Sequence, residues 1–143
     1  MQKQNCFTPE IITTLEKNDI FVFGSNLAGM HGGGAARTAL RWGAIMGRGV
    51  GLQGRTYAIP TMFGTVDEIK PYVSDFIDFA KKHPEFRFLV TRIGCGIAGF
   101  TVEGIAGLFK PVVKDDITNI FLPEDFVAFI LSQENKGNNE SIY

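Results

Sequence analysis

Two glycine-rich segments hold the residues best suited to bind a ligand. Loop 1 (residues 24–34) reads GSNLAGMHGGG and loop 2 (residues 94–101) reads GCGIAGFT. Glycine costs backbone entropy, so a cluster needs a local reason, such as a positive φ or close approach of the backbone to a ligand. Three successive glycines at a helix start let backbone N–H groups approach a diphosphate, with the helix dipole assisting. Loop 1 therefore predicts an anion site.

Each loop also has a simpler interpretation. In loop 1, the Asn26 amide suits ribose hydroxyls because it both donates and accepts, but it could equally close a tight turn on its own backbone. Loop 1 fits neither the GxGxxG fingerprint nor a P-loop, which needs Lys followed by Ser or Thr. Loop 2 does contain GxGxxG before an aromatic residue, a pattern that a plain strand-to-helix turn also shows.

The distribution of charge favours an anionic ligand. No Asp or Glu occurs from residue 20 to 66, a stretch that contains Arg37, Arg41, Arg48 and Arg55. A second acid-free stretch covers residues 86–102 and includes Arg87 and Arg92. Both loops lie inside these stretches, where no carboxylate would oppose a phosphate. The whole chain has a formal charge of −1, which is not typical of a dedicated nucleic-acid binder.

Residues for catalysis are few. Asn26 and His31 are the candidates in loop 1, His31 because it lies beside the glycine run, although it could also simply hydrogen-bond or face solvent. Cys95 precedes a helix start, where a thiolate is stabilised, and its alternative is a small packed residue. No His, Cys or Asp spacing indicates a metal site, and no cofactor is expected.

Alternating helix and strand patterns predict the framework for these loops. Strands are predicted at 19–23, 56–59, 86–93 and 117–122, and helices at 8–17, 35–42, 69–82, 102–113 and 123–131. Thr8-Pro9 fits the start of the first helix, and Gly43 is expected to end the second. Residues 65–68 (TVDE) fit a capping box, and Thr101 is expected to cap the fourth helix. This order favours an α/β domain with a mostly parallel sheet and helices on both faces. Both loops then follow strands and share one crevice at the carboxyl ends.

Length and composition indicate one domain. The 143 residues are 45% apolar and 20% charged, an ordinary globular composition. We expect the domain to cover residues 1–132, with a polar tail at 133–143. Apolar runs are too short for a membrane span and the N-terminus is unlike a signal peptide. Cys6 and Cys95 form no disulfide framework, so a cytoplasmic protein is expected.

Three segments resemble the macrodomain family. FVFGSN at residues 21–26, followed by the glycine run and Ala35-Ala36, resembles the family's asparagine and Gly-Gly-Gly segment. YAIPT at 57–61 resembles the next strand, and residues 89–100 resemble the second loop. The similarity extends over residues 19–122, and small phage and bacterial macrodomain-like proteins of undefined role share it. It implies a three-layer α/β/α sandwich.

The resemblance also implies a ligand, ADP-ribose or a related ribosyl phosphate. Asn26 would face the distal ribose, and both loops would enclose the diphosphate. The family's adenine-contacting aspartate has no match, since Asp19 is too close to Asn26. The residues expected to bind the ligand are Gly24, Ser25, Asn26, Gly32, Gly33, Gly34, Ala35, Gly94, Cys95, Gly96, Ile97, Ala98, Gly99 and Phe100.

Two functional hypotheses follow. The first is binding of an ADP-ribose-like molecule, with slow hydrolysis of an ADP-ribosyl linkage as an added activity. The second is a glycine-rich interaction domain that binds single-stranded nucleic acid or a protein and no metabolite. In that case the arginines of residues 37–55 would form the contact surface and Trp42 would stack on bases.

Overall fold

A mixed sheet with one antiparallel edge forms the centre of the fold. The computed structural model describes residues 7–142, with side chains to Asn135. In this part of the chain the strands are β1 (Asp19–Ser25), β2 (Gly51–Gln53), β3 (Thr56–Pro60), β4 (Arg87–Val90) and β5 (Ile120–Phe121). Their order is β2-β3-β1-β4-β5, and every pairing except β2 with β3 is parallel. The predicted α/β class with a mostly parallel sheet is confirmed.

Alternation along β1 separates two buried clusters. Ile20 and Val22 point into the larger cluster, which includes Phe76, Phe88 and Phe126. Phe21 and Phe23 point the other way, into a smaller cluster with Ala36, Ala39 and Ala58. Successive side chains of a strand face opposite sides of the sheet, so a strand buried on both sides reads as an unbroken apolar run.

Helix α1 begins at the end of loop 1. It spans Gly34–Ala39 and tightens into a 3₁₀ turn over Leu40–Trp42. Gly43 ends the turn at φ 107°, a left-handed conformation that glycine adopts without strain, as the sequence predicts. Ala36 and Ala39 bury the inner side of α1 against Phe21 and Phe23.

The next helix begins at the predicted capping box. Thr65 and Glu68 form this box at a 3₁₀ turn over Val66–Glu68. Helix α2 (Lys70–Lys81) follows, with Pro71 in its first turn, where the missing N–H costs nothing. Val73, Phe76, Ile77 and Ala80 recur at helical spacing and are buried.

The C-terminal half has more breaks than predicted. Instead of one helix over 102–113, α3 (Val102–Ala106) gives way to a 3₁₀ turn and then to α4 (Lys110–Lys114), because Pro111 cannot continue the first helix. Thr101 caps α3 as expected, accepting a hydrogen bond from Gly104 N at 3.0 Å. Helix α5 (Glu124–Ile142) extends beyond the predicted end near residue 131, into the segment expected to be a tail.

The predicted helix over residues 8–17 is wrong. Phe7 instead forms a parallel bridge with Leu122, and Thr8 donates from its backbone to Leu122 O at 2.9 Å and from its hydroxyl to Phe121 O at 2.8 Å. These bonds hold residues 7 and 8 beside β5 in a non-helical conformation, while Ile12 and Leu15 pack on the smaller cluster.

Two strands are shorter than predicted, and one was not predicted. β4 stops at Val90 because the chain turns at residues 91–95, where Ile93 N bonds Thr91 O at 2.7 Å. β5 covers only two residues because Ile117 N bonds back to Val112 O at 3.0 Å. The glycine-rich connection of residues 43–54 contains β2. No helix in the described residues is long and apolar enough to span a membrane.

Candidate functional site

A cleft at the carboxyl ends of the parallel strands joins the two glycine loops. Loop 1 follows β1, loop 2 follows β4 after a short turn, and the neighbouring strand β3 contributes its own end. A Cβ added at Gly33 would lie 3.9 Å from Ile97 Cδ1, so the loops face each other closely. The cleft has a volume of about 260 Å³. Its lining residues are Gly24, Ser25, Asn26, Met30, Gly33, Gly34, Ala35, Ala36, Thr61, Met62, Thr91, Arg92, Ile93, Gly94, Gly96, Ile97 and Ala98.

Two sets of backbone N–H groups in this lining lack protein partners. Within the described residues, no hydrogen bond is found for the N–H groups of Gly33 and Gly34 at the end of loop 1 and of Ala35 in the first turn of α1, or for those of Gly96, Ile97 and Ala98 in loop 2. No carboxylate lines the cleft. Unpaired backbone donors in a lining without carboxylates suit an anionic ligand.

The Asn26 side chain closes loop 1. Its Oδ1 accepts from Met30 N at 3.0 Å, and its Nδ2 donates to Met30 O at 3.2 Å. The local-turn interpretation of Asn26 therefore describes the structure, and Asn26 also lines the cleft. An amide has two N–H donors and a carbonyl oxygen with two lone pairs. One donor and one lone pair thus remain available to a ligand.

His31 lies outside the cleft, and its catalytic assignment is corrected. The ring is 1% exposed, packs edge-on against Phe23 at 5.2 Å, and its Nε2 lies 3.0 Å from Ile45 O and 3.1 Å from Arg48 O. Two carbonyl acceptors require Nε2 to carry the proton. His31 therefore anchors residues 44–50 beneath loop 1 and has no access to a ligand.

Four other predicted binding residues do not line the cleft. Gly99 and Phe100 form the turn that ends loop 2, in which their N–H groups bond Gly96 O at 3.0 Å and Gly94 O at 2.8 Å. Gly32 is exposed beside the cleft. Cys95 is half-buried, and burial first, then the negative charge of Asp125, raise the pKa of its thiol. A raised pKa opposes thiolate formation, so a nucleophilic Cys95 finds no support.

Arg92 is the cation in the cleft wall, and its guanidinium is already paired with two carboxylates. Its Nε lies 3.0 Å from Asp125 Oδ2 and its terminal nitrogen 2.5 Å from Glu10 Oε1. These hydrogen bonds, to Asp125 first and Glu10 second, raise the pKa of Arg92. An anion in the cleft would therefore meet the backbone donors and an arginine that is already paired with two carboxylates.

Several lining residues were not among the predicted site residues. Thr61 and Met62 follow β3, and Thr91 follows β4. Their position directly after a parallel strand is the sequence signal that could have identified them, because ligands of open α/β sheets generally bind at the carboxyl ends of the strands. Met30 joins the lining because the bonds to Asn26 fold loop 1 back on itself.

Comparison of the chain with models of protein families, with curated proteins and with solved structures finds no match.

Proposed function

We propose that the cleft binds ADP-ribose or a related ribosyl phosphate. The observation that carries this proposal is the pairing of two loops whose unpaired backbone N–H groups line one carboxylate-free cleft. A diphosphate has enough oxygens to accept from both sets of donors, and Asp125 and Glu10, the carboxylates that contact the cleft wall, are both paired with Arg92. The proposed macrodomain-like fold, with a three-layer α/β/α arrangement, agrees with helices packed against both buried clusters of the sheet.

The cleft volume indicates which part of the ligand fits inside it. About 260 Å³ lies below the roughly 300–1,000 Å³ typical of small-molecule pockets. A ribose with its phosphates is therefore the favoured portion, with the remainder of a dinucleotide-like ligand outside the cleft. Thr61 and Thr91 also line the cleft, with hydroxyls that donate to Ser25 O at 3.5 Å and to Val22 O at 2.8 Å and keep lone pairs that can accept from a ligand.

Binding, with at most slow hydrolysis, is the activity that this chemistry supports. Hydrolysis of a ribosyl linkage needs a base or an activated water, and the lining offers no carboxylate and no histidine. Asn26 is the remaining candidate, since its free donor and lone pair can position a hydroxyl or a water. A phosphate-bound water fixed by Asn26 would be a weak nucleophile.

The nucleic-acid hypothesis has less support. Trp42, the expected stacking residue, packs its ring on Phe21 at 5.0 Å and contributes to the smaller core cluster. A ring held in this way does not provide a free platform for bases.

Thermal shift measurements test the proposal. The probes are ADP-ribose, NAD, AMP, ribose 5-phosphate and a single-stranded oligonucleotide. At 100 times its Kd a ligand stabilises the folded state by about 2.7 kcal/mol, which raises the melting temperature measurably. We expect ADP-ribose or ribose 5-phosphate to raise it. Stabilisation by the oligonucleotide alone would contradict the proposal.

A further inference from the structure

We propose that the outer edge of the sheet docks an extended acidic segment of a partner protein. The surface, called the edge face below, consists of residues 40–41 in the 3₁₀ turn after α1, the connection of residues 44–50, and β2 (Gly51–Gln53). It is separate from the cleft lining. The proposal does not depend on the nature of the cleft's ligand.

The edge face concentrates exposed apolar side chains. Large exposed apolar residues are scattered singly on most protein surfaces, whereas contiguous groups mark interaction sites. Within the described residues, half of the large apolar side chains classed as exposed belong to this one face. They are Leu40, Ile45, Met46, Val50 and Leu52, each between 37% and 51% exposed.

Hydrogen bonds hold these three segments against one another. Ala44 N bonds Ala39 O at 3.2 Å, which ties the connection to the end of α1. The Gln53 side chain then accepts from Ile45 N at 2.8 Å and donates to Arg48 O at 2.9 Å, which ties the connection to β2. The apolar residues are thus presented on a fixed backbone.

Charge identifies the chemistry of the partner. Arg41 and Arg48 of the edge face, and Arg37 one helical turn before it in α1, are exposed and form no ion pair with any described residue. No acidic residue occurs between residues 20 and 66 to neutralise them. Acidic side chains on the partner would complement this charge. A second copy docked by the same face would bring like charges together, which disfavours self-association.

The free strand edge identifies the partner's conformation. β2 is the last strand of the sheet on this side, so its outer backbone groups have no ladder partner among the described residues. An extended segment can add to such an edge, with main-chain bonds giving affinity and alternate side chains giving specificity. In a partner segment that combines apolar and acidic residues, the apolar side chains would contact Leu52 and Val50, and the acidic ones would pair with Arg41 and Arg48.

Selection from random linear peptides displayed on phage tests the proposal, with the folded full-length protein as bait. We expect enriched sequences to be acidic with alternating apolar residues. A synthetic peptide of the enriched sequence should protect the amides of residues 50–53 from hydrogen exchange. Enriched peptides that are not acidic, or protection elsewhere, would overturn the proposal.

Matched variants localise the binding. Arg41→Glu should weaken the selected peptide roughly tenfold, while Lys114→Glu, the same charge change on an exposed residue of α4, should leave affinity nearly unchanged. Gly33→Asp alters the cleft and should not affect the peptide. Equal loss in the two charge variants, competition by an oligonucleotide, or dimerisation of the protein through β2 would overturn the proposal.

Discussion

The polar side chains of loop 1 hold the loop in place before they can serve a ligand. Ser25 Oγ donates to Gly49 O at 2.5 Å, Asn26 bonds both backbone groups of Met30, and His31 bonds two carbonyl oxygens of residues 44–50. Loop 1 is therefore preorganised, and a ligand need not order it on binding.

His31 is expected to contribute stability and not catalysis. His31→Ala removes a buried ring and its hydrogen bonds, so the free energy of unfolding should fall by about 2–4 kcal/mol. Urea denaturation measures this loss. His83→Ala, which removes a ring partly exposed beside Glu85, is the control and should cost under about 1 kcal/mol. Equal stability of His31→Ala and the wild type would contradict the structural role.

Turnover is expected to be slow or absent. We predict little release of ADP-ribose from an ADP-ribosylated protein, measured by chromatography, because the cleft lining contains no carboxylate base. Robust release by the wild type would show this expectation to be wrong. In that event Asn26→Ala should reduce turnover by roughly 10²-fold, the scale of losing one positioned catalytic group.

Among the connecting elements, loop 1 and residues 44–50 behave as one unit because their backbones nearly touch. A Cβ added at Gly49 would lie 2.0 Å from Asn26 O, so only glycine fits there. At Gly96 in loop 2 an added Cβ meets nothing within 4 Å, which marks space open to a ligand. The two glycines thus serve different purposes, packing at residue 49 and access at residue 96.

Alanine at these two positions separates the roles. Gly49→Ala should lower the free energy of unfolding by about 2–4 kcal/mol because the loops must move apart. Gly96→Ala should leave the stability nearly unchanged and should weaken ligand binding. Chemical denaturation and calorimetry measure the two effects. A stable Gly49→Ala variant would refute the close packing of the two segments.

Local signals in the sequence predicted the elements with strong boundaries. The capping box at Thr65 and Glu68, the stop at Gly43 and the cap at Thr101 all occur as expected. At the N-terminal segment the local signal misleads, because Thr8-Pro9 satisfies helix-start rules. The backbone N–H of Thr8 instead bonds Leu122, a residue far along the chain. Contacts over such separations leave no periodic signal.

The candidate site was likewise predictable where it depends on strand order and unpredictable where it depends on contacts within irregular connections. The meeting of loops 1 and 2 could be predicted from strand order, since both follow parallel strands. The burial of His31 could not, because its partners at residues 45 and 48 belong to a connection without regular periodicity. Likewise β2 is hidden in a glycine-rich stretch whose three strand residues carry no alternation that identifies them.

At the scale of the whole molecule, a tyrosine in the larger core cluster makes the stability of the fold fall at alkaline pH. Burial, then the charge of Asp75, raise the pKa of Tyr57 from 10.0 to about 12. The unfolded chain loses this proton first, so the stabilisation is complete below pH 10 and is lost as the pH rises to about 12.

The variant Tyr57→Phe isolates this contribution, because other groups also titrate at alkaline pH. Urea midpoints of both proteins, measured across the interval from pH 10 to about 12, should show a smaller decline for Tyr57→Phe. Parallel declines in the two proteins would contradict the burial of a neutral Tyr57 hydroxyl.

The central claim, that the cleft binds a ribosyl phosphate through the backbone of the two loops, is tested most directly at Gly33. Its Cβ position is open except for Ile97 Cδ1 at 3.9 Å, and its backbone is extended at φ −160°, a conformation that any residue adopts, so both variants should fold. Calorimetry with ADP-ribose should give measurable binding for the wild type, affinity within roughly tenfold of it for Gly33→Asn, and none for Gly33→Asp, whose charge repels phosphate. Unchanged affinity in a folded Gly33→Asp variant would contradict the account.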